Sequence, residues 1–376
     1  MAKKITITLL SLLFFCGAGL AKNAQWSVEK ANQWYSQQPW MVGCNFLPST
    51  AINQIEMWQE LTWDPQTIDK ELGWAEQLGF NTVRVYLHDL VYEHEKEGFI
   101  KRIDEFLDIC QKHGIKPLLV FFDDCHWAWP HMGVQPKPVP GVHNSGWKHS
   151  PGWFTTNAYE KGTVSKAEKR KLEDYIKTIL TEFSNDKRIL AWDLYNEPGR
   201  SGNKPVKLLK DTWQWAWQVR PSQPLTACVN GCANDQAKRI NAKNSDVYSF
   251  HSYHNPKGTQ KQIDFAKKDS NGRPILCTEY MARTKGSTFQ NCLPVFKKEK
   301  ISCWNWGLVD GKSGTKWPWS SRTRDRDGLI RPLPSSDPDN APADPPVWFH
   351  DIFRKDGTPY RKSEVDFIKK ILKAGQ

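Results

Sequence analysis

Two glutamates, each placed directly after an apolar run, have the clearest chemical potential in this chain. Glu197 lies in the sequence Asn-Glu-Pro at positions 196–198, and Glu279 follows Cys-Thr at positions 277–278. Two carboxyl groups can cleave a glycosidic bond, because one protonates the leaving oxygen while the other attacks or stabilises the anomeric carbon from the opposite face. A single glutamate after a strand is more often an ion-pair partner, so this chemistry requires that the two side chains meet.

Eight short apolar runs are the elements that must position these glutamates. Their nearly continuous apolar character is typical of strands that are buried on both faces of a parallel sheet. Glu197 follows the fourth run, and Glu279 follows the main apolar part of the seventh. The runs occupy residues 41–46, 82–87, 116–122, 189–195, 225–229, 247–251, 275–278 and 301–306.

Amphipathic stretches separate these runs and predict helices over residues 67–78, 99–113, 166–183 and 288–298. In 99–113 the apolar residues recur at steps of three and four, which gives a helix one buried stripe. Alternating strands and helices predict an α/β fold, and eight strands favour closure into a single (β/α)8 TIM barrel. Strands four and seven face each other across the mouth of such a barrel, so Glu197 and Glu279 can flank one bond.

Two connections are much longer than the others, at 125–163 after the third strand and at about 308–346 after the eighth. Barrel enzymes carry their chemistry on the loops that follow the strands, and connections of this length are usually functional. Both contain several tryptophans, whose flat faces suit the apolar faces of sugar rings. Any one of these tryptophans is nevertheless more often packed beneath its own loop.

The N-terminus reads as a secretory signal peptide over residues 1–21. Lys3 and Lys4 precede a short apolar core that ends in Gly-Leu-Ala at 19–21, the order typical of such a signal. A lipoprotein anchor at Cys16 is disfavoured by the bulky Phe14 and Phe15. We expect an exported chain, periplasmic or extracellular, with residues 22–376 forming one catalytic domain without a membrane span.

The composition excludes some partners and leaves others open. The net charge is +11, but the basic residues are mixed with acidic ones along predicted helix faces, which is typical of a solvated surface and not of a nucleic-acid site. An acidic glycan remains a possible substrate. Eight cysteines follow Cys16, and an exported chain can pair them, although a core of this size does not require disulfides.

Residues 192–198, Trp-Asp-Leu-Tyr-Asn-Glu-Pro, resemble the acid/base motif of clan A glycoside hydrolases, particularly family 5 with its cellulase and mannanase relatives. The resemblance extends over nearly the whole chain after the signal. It implies a retaining β-glycosidase in which Glu197 is the acid/base and Glu279 the nucleophile. Further matching positions are Arg84 near the nucleophile, His251 and Tyr253 in the His-x-Tyr after strand six, and Trp304 on strand eight under the reactive sugar.

The loop after the third strand departs from the family pattern. Family 5 enzymes often carry a histidine there, and in this chain Asp123, Asp124 and His126 share that position, with Trp127 beside them. We expect Asp124, His126 and Trp127 to support or contact the substrate. Asn196 can bind the sugar 2-hydroxyl, a contact that strengthens in the transition state.

Three other functions compete with the retaining hydrolase. The barrel could bind carbohydrate without cleaving it, although binding alone needs neither carboxylate, or it could transfer the sugar to another sugar. A metal-dependent hydrolase could use the histidines at 126, 131, 251 and 254, but no His-x-His follows the first strand. We therefore expect no metal and no cofactor, a carbohydrate substrate and a monomer. The sugar, the linkage and the choice between endo and exo cleavage stay open.

Overall fold

The computed structural model describes residues 24–125, 129–200, 202, 204–229, 231–232, 234–324, 330–332 and 344–373. The predicted signal peptide with Cys16 lies outside this part of the chain, as do His126 and Trp127.

Eight parallel strands form one nearly closed barrel, which confirms the predicted (β/α)8 fold. The hydrogen-bonded order is β5-β4-β3-β2-β1-β8-β7-β6, and each strand lies within the run predicted for it or within two residues of it. The strands are β1 Val42–Asn45, β2 Thr82–Tyr86, β3 Lys116–Asp123, β4 Ala191–Asn196, β5 Leu225–Thr226, β6 Tyr248–Ser252, β7 Ile275–Tyr280 and β8 Ser302–Trp306.

The barrel closes between β5 and β6 through bonds that lie partly outside the strands. The Val229 amide donates to the Ser249 carbonyl at 2.9 Å, and the Asp246 amide donates to the Leu225 carbonyl at 2.8 Å. The Asp246 carboxylate in turn accepts the Leu225 amide at 2.8 Å. A side chain therefore completes the ladder where β5 is only two residues long.

Helices cover the outside of the barrel and also lie within its connections. They are α1 Val28–Ser36, α2 Gln54–Trp58, α3 Pro65–Leu78, α4 Asp89–Lys112, α5 Trp153–Lys161, α6 Lys166–Glu182, α7 Val206–Val219, α8 Asp235–Asn244, α9 Pro256–Asp269, α10 Phe289–Glu299 and α11 Lys362–Lys373. The helix predicted over 99–113 begins ten residues earlier, because a second helical segment joins it across a kink at Glu95.

The two long connections contain structure that the sequence analysis did not predict. The first holds α5, which ends at Gly162 with a φ of +75°, a conformation that glycine adopts without strain. The second holds an antiparallel hairpin of β9 Arg322–Arg324 and β10 Ile330–Pro332.

Side chains on the strands alternate between two packed regions, as the two-residue period of a strand requires. Val83 and Val85 belong to the larger apolar cluster between sheet and helices, whereas Tyr86, Leu118 and Trp304 belong to a smaller cluster inside the barrel. The eight described cysteines are all free thiols, and only Cys125 among them is not fully buried. Within the described residues no helix is both long and apolar enough to cross a membrane.

Candidate active site

Glu197 and Glu279 meet at the mouth of the barrel. One oxygen of each carboxylate and the Nδ1 atom of His251 all lie within 4.8 Å of one another. Glu279 belongs to β7, and Glu197 directly follows β4 with a φ of +42°. A non-glycine residue rarely adopts such a φ, and residues held this way are frequent at active sites. The convergence that the pair of carboxylates required is therefore present.

The Glu279 carboxylate accepts hydrogen bonds from three side chains. Arg84 Nη1 and the Tyr86 hydroxyl donate to Oε1, each at 2.9 Å. The Tyr253 hydroxyl donates to Oε2 at 2.7 Å. Hydrogen bonds to an ionised carboxylate stabilise the charge, most strongly when the donor is a cation. The structure brings Arg84 and Tyr253 to the glutamate as the resemblance implied, and it adds Tyr86.

Arg84 is fully buried and fixed from several sides. Its Nη2 atom donates to Asp193 and to Asn196, both at 2.7 Å, and its Nη1 atom donates to Asn45 at 2.8 Å. Burial alone would lower the pKa of Arg84, but the neighbouring Tyr86, Asp193 and Glu279 raise it well above its ordinary value. The arginine therefore remains a rigid, permanent cation beside Glu279.

Glu197 lies in a different environment. His251 Nδ1 lies 2.9 Å from Oε1, the Cys125 thiol donates to Oε2 at 3.0 Å, and Arg200 Nε lies 3.7 Å from Oε2. Burial would raise the pKa of Glu197, but the hydrogen bond and the charge of His251 lower it to about 2. Burial also opposes the charge on His251, yet Cys228 and the two glutamates raise the pKa of this imidazole well above its ordinary value. The Glu197–His251 pair thus shares one proton.

Of the two aspartates at the end of β3, only Asp123 lines the cleft. It accepts the Asn196 side-chain amide at 2.8 Å and the Trp147 indole, and burial raises its pKa to about 6. Asp124 is fully buried, where it lies 2.9 Å from His149 and accepts the Gly199 amide at 2.6 Å. The expectation that Asp124 contacts the substrate is wrong, because adjacent residues of an extended chain point in opposite directions. That Asp124 supports the site stays a prediction.

Trp304 does not lie beneath the sugar position either. It is fully buried inside the barrel, where its indole donates to Thr82 Oγ1 at 3.1 Å. Trp306 lines the cleft instead, packed against Trp147 and Tyr86 with ring centroids 5.5 and 5.9 Å away. Two residues along a strand face the same way but differ by roughly 6.6 Å in height, so the tryptophan at the mouth is the one at the strand end.

The long connections complete a cleft of about 250 Å³ above the carboxylates. Sequence reasoning assigned the aromatic residues of these connections only as a group. The described side chains lining the cleft are Asp123, Cys125, His143, Asn144, Trp147, Asn196, Glu197, Arg200, Tyr253, Glu279, Trp306, Trp319, Arg322 and His350. His126 and Trp127 are not among the described residues. Cys125 lies in the predicted stretch after the third strand but was not assigned a role. Arg200 and His350 had no signal in the sequence, since each is an isolated residue in an irregular segment.

Glu197, His251 and Glu279 are also spaced closely enough to bind a metal ion. Each of them is already engaged: His251 Nδ1 faces Glu197, and both Glu279 oxygens accept hydrogen bonds, one of them from the Arg84 cation. A metal cation bound at this point would be repelled by the positive charge of Arg84. Two other histidines that the metal hypothesis used, His131 and His254, are not in this group. The donor set therefore suits proton transfer better than metal binding.

Comparisons with known proteins assign the family. The family described as Cellulase (glycosyl hydrolase family 5) matches residues 47–312. None of the curated proteins matches the sequence.

Solved structures share the fold at low identity. The exo-β-1,4-mannosidase Op5Man5 from Opitutaceae bacterium strain TAV5 is 19% identical, with a TM-score of 0.56, over 90% of this chain and 60% of its own. GH5_18 from Streptomyces cattleya is 13% identical, with a TM-score of 0.56, over 89% of this chain and 80% of its own. The family 5 mannosidase from Rhizomucor miehei is 14% identical, with a TM-score of 0.54, over 90% of this chain and 93% of its own. This chain thus spans three fifths of the first of these proteins and most of the other two.

The family match spans more than half of the sequence and includes both glutamates, the β4 motif and most of the barrel. The chain therefore belongs to the cellulase family, glycosyl hydrolase family 5, and is a retaining glycoside hydrolase that acts on β-glycosidic bonds.

Proposed function

We propose that Glu279 is the nucleophile and Glu197 the acid/base in the hydrolysis of a β-linked poly- or oligosaccharide by double displacement. The observation that carries this proposal is that one oxygen of the Glu197 carboxylate lies within 4.8 Å of one oxygen of the Glu279 carboxylate. Retaining enzymes place the two groups about 5–5.5 Å apart, whereas inverting enzymes leave roughly 6.5–9.5 Å for a water molecule.

The different surroundings of the two glutamates support different roles. Glu279, held by Arg84, Tyr86 and Tyr253, is ready to attack as an anion. In the first step a bond forms between a Glu279 oxygen and the anomeric carbon while the glycosidic bond breaks, and Glu197 gives a proton to the leaving oxygen. In the second step Glu197 takes a proton from water, the water oxygen bonds to the anomeric carbon, and Glu279 is released.

The proton for the first step is supplied by the Glu197–His251 pair. His251 Nδ1 and Glu197 Oε1 lie 2.9 Å apart, so the proton can move to the carboxylate as negative charge develops on the leaving oxygen. The same pair accepts the proton of the attacking water in the second step. A general acid poised in this way contributes roughly 10²- to 10⁴-fold to the rate.

Substitution of the two glutamates tests the assignment. We expect Glu279→Ala to abolish hydrolysis almost completely, and Glu197→Ala to lower it by roughly 10²- to 10⁴-fold, least for substrates with activated leaving groups. Azide should partly rescue Glu197→Ala and give a glycosyl azide of retained configuration. Glu182→Gln, which changes an exposed glutamate at the end of α6, serves as the control. Wild-type rates in either alanine variant, or a product of inverted configuration, would contradict the proposal.

The sugar itself is to be found by product analysis on β-mannans, β-glucans and xylans. The mannosidases among the similar structures make β-mannan the first substrate to test. Chromatography of the products also separates hydrolysis from transfer to a second sugar, because transfer gives oligosaccharides longer than the substrate.

A further inference from the structure

Asp124 contacts the backbone on both sides of Glu197. Its amide donates to the Asn196 carbonyl at 3.3 Å, and its carboxylate oxygen Oδ2 accepts the Gly199 amide at 2.6 Å. Asn196 directly precedes Glu197, whereas Gly199 follows it by two residues. One fully buried residue, directly after β3, thus holds both ends of the segment that carries the proposed acid/base.

The segment between these two bonds has an unusual backbone conformation. Glu197 has a φ of +42° and Gly199 a φ of +89°. Glycine adopts such a φ without strain, whereas a glutamate in this conformation is strained and keeps it only when its surroundings fix it. The bond from the Arg200 amide to the Glu197 carbonyl, at 3.1 Å, closes the turn but lies within it. The bond from Gly199 to Asp124 attaches the turn to the barrel, because Asp124 continues β3.

The Asp124 carboxylate has a buried partner of opposite charge. Its other oxygen, Oδ1, lies 2.9 Å from His149 Nε2, and neither side chain is exposed. Burial opposes the charge on His149, but the charge of Asp124 raises the pKa of this imidazole above its ordinary value. His149 Nδ1 lies 3.1 Å from the Pro151 carbonyl, which fixes the ring. Since a carboxylate accepts a hydrogen bond more strongly than a neutral oxygen does, the ion pair strengthens the attachment of Gly199.

We propose that Asp124, paired with His149, is a positioning residue that holds Glu197 where it can transfer a proton to and from the substrate. The inference rests on the proposed role of Glu197 as the acid/base. When the Gly199 amide loses its acceptor, the backbone of Glu197 is free to relax toward a negative φ, and the carboxylate then moves away from His251 Nδ1, now 2.9 Å from it. Asp124 is not among the residues lining the cleft, so it acts through Glu197 and not on the sugar.

A displaced acid/base has a characteristic kinetic effect. Formation of the glycosyl-enzyme determines kcat/KM, and this step needs a proton from Glu197 only when the leaving group is a strong base. An activated leaving group, which departs as a stable anion, needs no proton. Loss of the position of Glu197 therefore lowers kcat/KM for poor leaving groups alone, whereas general damage to the site lowers it for every substrate.

The experiment compares phenyl with dinitrophenyl β-glycosides of mannobiose, cellobiose and xylobiose. For Asp124→Ala we expect kcat/KM on the phenyl glycosides to fall roughly hundredfold, the loss that follows from displacing a reacting group by about 1 Å, and kcat/KM on the dinitrophenyl glycosides to stay close to that of wild type. Asp124→Asn keeps an oxygen for the Gly199 amide but lacks the charge, so we expect a loss of roughly tenfold on the phenyl glycosides alone. In the Glu197→Ala background, Asp124→Ala should lower the rate no further.

Asp246→Asn is the matched control. Asp246 is also buried, lies 2.7 Å from an arginine, Arg220, and accepts the backbone amides of Trp26 and Leu225, but it is not among the residues lining the cleft. This variant should leave the ratio between the two kinds of glycoside unchanged. Equal losses on both kinds in the Asp124 variants, no loss on either, or a further loss in the Glu197→Ala background would overturn the inference. If Asp124→Ala does not fold, the same comparison with Asp124→Asn decides.

A crystal structure of the Asp124 variant gives an answer that does not depend on the substrate. We expect the Glu197 carboxylate to leave hydrogen-bond distance of His251 Nδ1. A Glu197 that keeps its positive φ and its contact with His251 would overturn the inference. Failure of Glu197→Ala to lower the rate on the phenyl glycosides would instead contradict the proposed function, since a displaced Glu197 in the Asp124 variant would still show that Asp124 positions it.

Discussion

His251 lies between the two carboxylates, with Nδ1 2.9 Å from Glu197 Oε1 and 3.4 Å from Glu279 Oε2. Its raised pKa keeps a proton in the site at pH values where an ordinary histidine has lost it. The proton belongs to the pair and not to either residue alone, as is general for strongly interacting groups. The basic limb of the pH–rate profile should therefore report the loss of this shared proton.

The His251→Asn substitution separates the contribution of His251 to proton transfer from that of Glu197. Without the imidazolium, the proton for the leaving oxygen must be held by Glu197 itself, and a carboxyl group in a buried site loses its proton at lower pH than the pair does. We expect the basic limb of kcat/KM to move to lower pH and kcat to fall by roughly 10²-fold at neutral pH. His254→Asn changes an exposed histidine after the same strand and should leave the profile unchanged. An unmoved basic limb in His251→Asn would exclude a shared proton.

Several residues of the site could be predicted from the sequence, and others could not. Glu197, Glu279, Arg84, His251 and Tyr253 meet because each lies on or directly after a barrel strand, where sequence position fixes location. The sequence was less decisive between nearby residues of one strand. Asp123 faces the cleft and Asp124 does not, and Trp306 reaches the cleft whereas Trp304 does not. Such choices depend on the height and direction of a side chain at a strand end, which the apolar pattern does not encode.

At the level of elements, the alternation of strands and helices predicts the barrel because every strand must bury both faces. The same pattern contains no signal for the start of α4, whose first segment is joined across a kink, or for α5 and the β9–β10 hairpin inside the long connections. Of these segments, β9 contributes Arg322 to the cleft, and other cleft residues of the long connections, His143, Asn144, Trp147 and Trp319, lie outside α5 and the hairpin. The residues at the strand ends were therefore predictable, whereas those that the long connections add were not. Export through residues 1–21 remains a proposal based on the sequence.

The two tryptophans of β8, Trp304 and Trp306, test whether the position of a side chain along the strand determines its role. Trp304→Ala leaves a cavity inside the barrel and should lower the free energy of unfolding by about 3–5 kcal/mol. Trp306→Ala removes an aromatic wall of the cleft and should lower kcat/KM, mainly by raising KM, with a much smaller loss of stability. Denaturant unfolding and steady-state kinetics on both variants check the pair. The reverse pattern, a stable Trp304→Ala with impaired catalysis, would show that the residue at 304 is the one that contacts the sugar.

At the scale of the whole molecule, buried ionisable groups make stability depend on pH in two opposing ways. Burial raises the pKa of Asp89 and of Glu71 to about 7 in each case. The folded protein therefore binds these protons more tightly than the unfolded chain, and stability falls as pH rises from about 4 to about 7. Burial lowers the pKa of His88 and His350 to about 3, so these groups contribute stability that is lost as pH falls below about 6.5. Between about pH 4 and 6.5 the two effects oppose each other.

Asp89→Asn removes one of the two buried carboxyl groups from this balance without changing the shape of the residue. Near pH 4 the protonated aspartic acid and the asparagine should have similar stabilities, because both are neutral and both can accept the hydrogen bond that Ser150 donates at 2.7 Å. As pH rises toward 7, the wild-type protein must either keep the proton on Asp89 or bury its charge, whereas the variant does neither. We expect the stability of the variant relative to wild type to increase with pH by at most about 1.4 kcal/mol per unit. Denaturant unfolding at several pH values measures this difference. Asp264→Asn removes an exposed carboxylate on α9 and is the matched control. If the free energies of unfolding of Asp89→Asn and wild type run parallel from pH 4 to 7, burial of Asp89 does not control the pH dependence of stability.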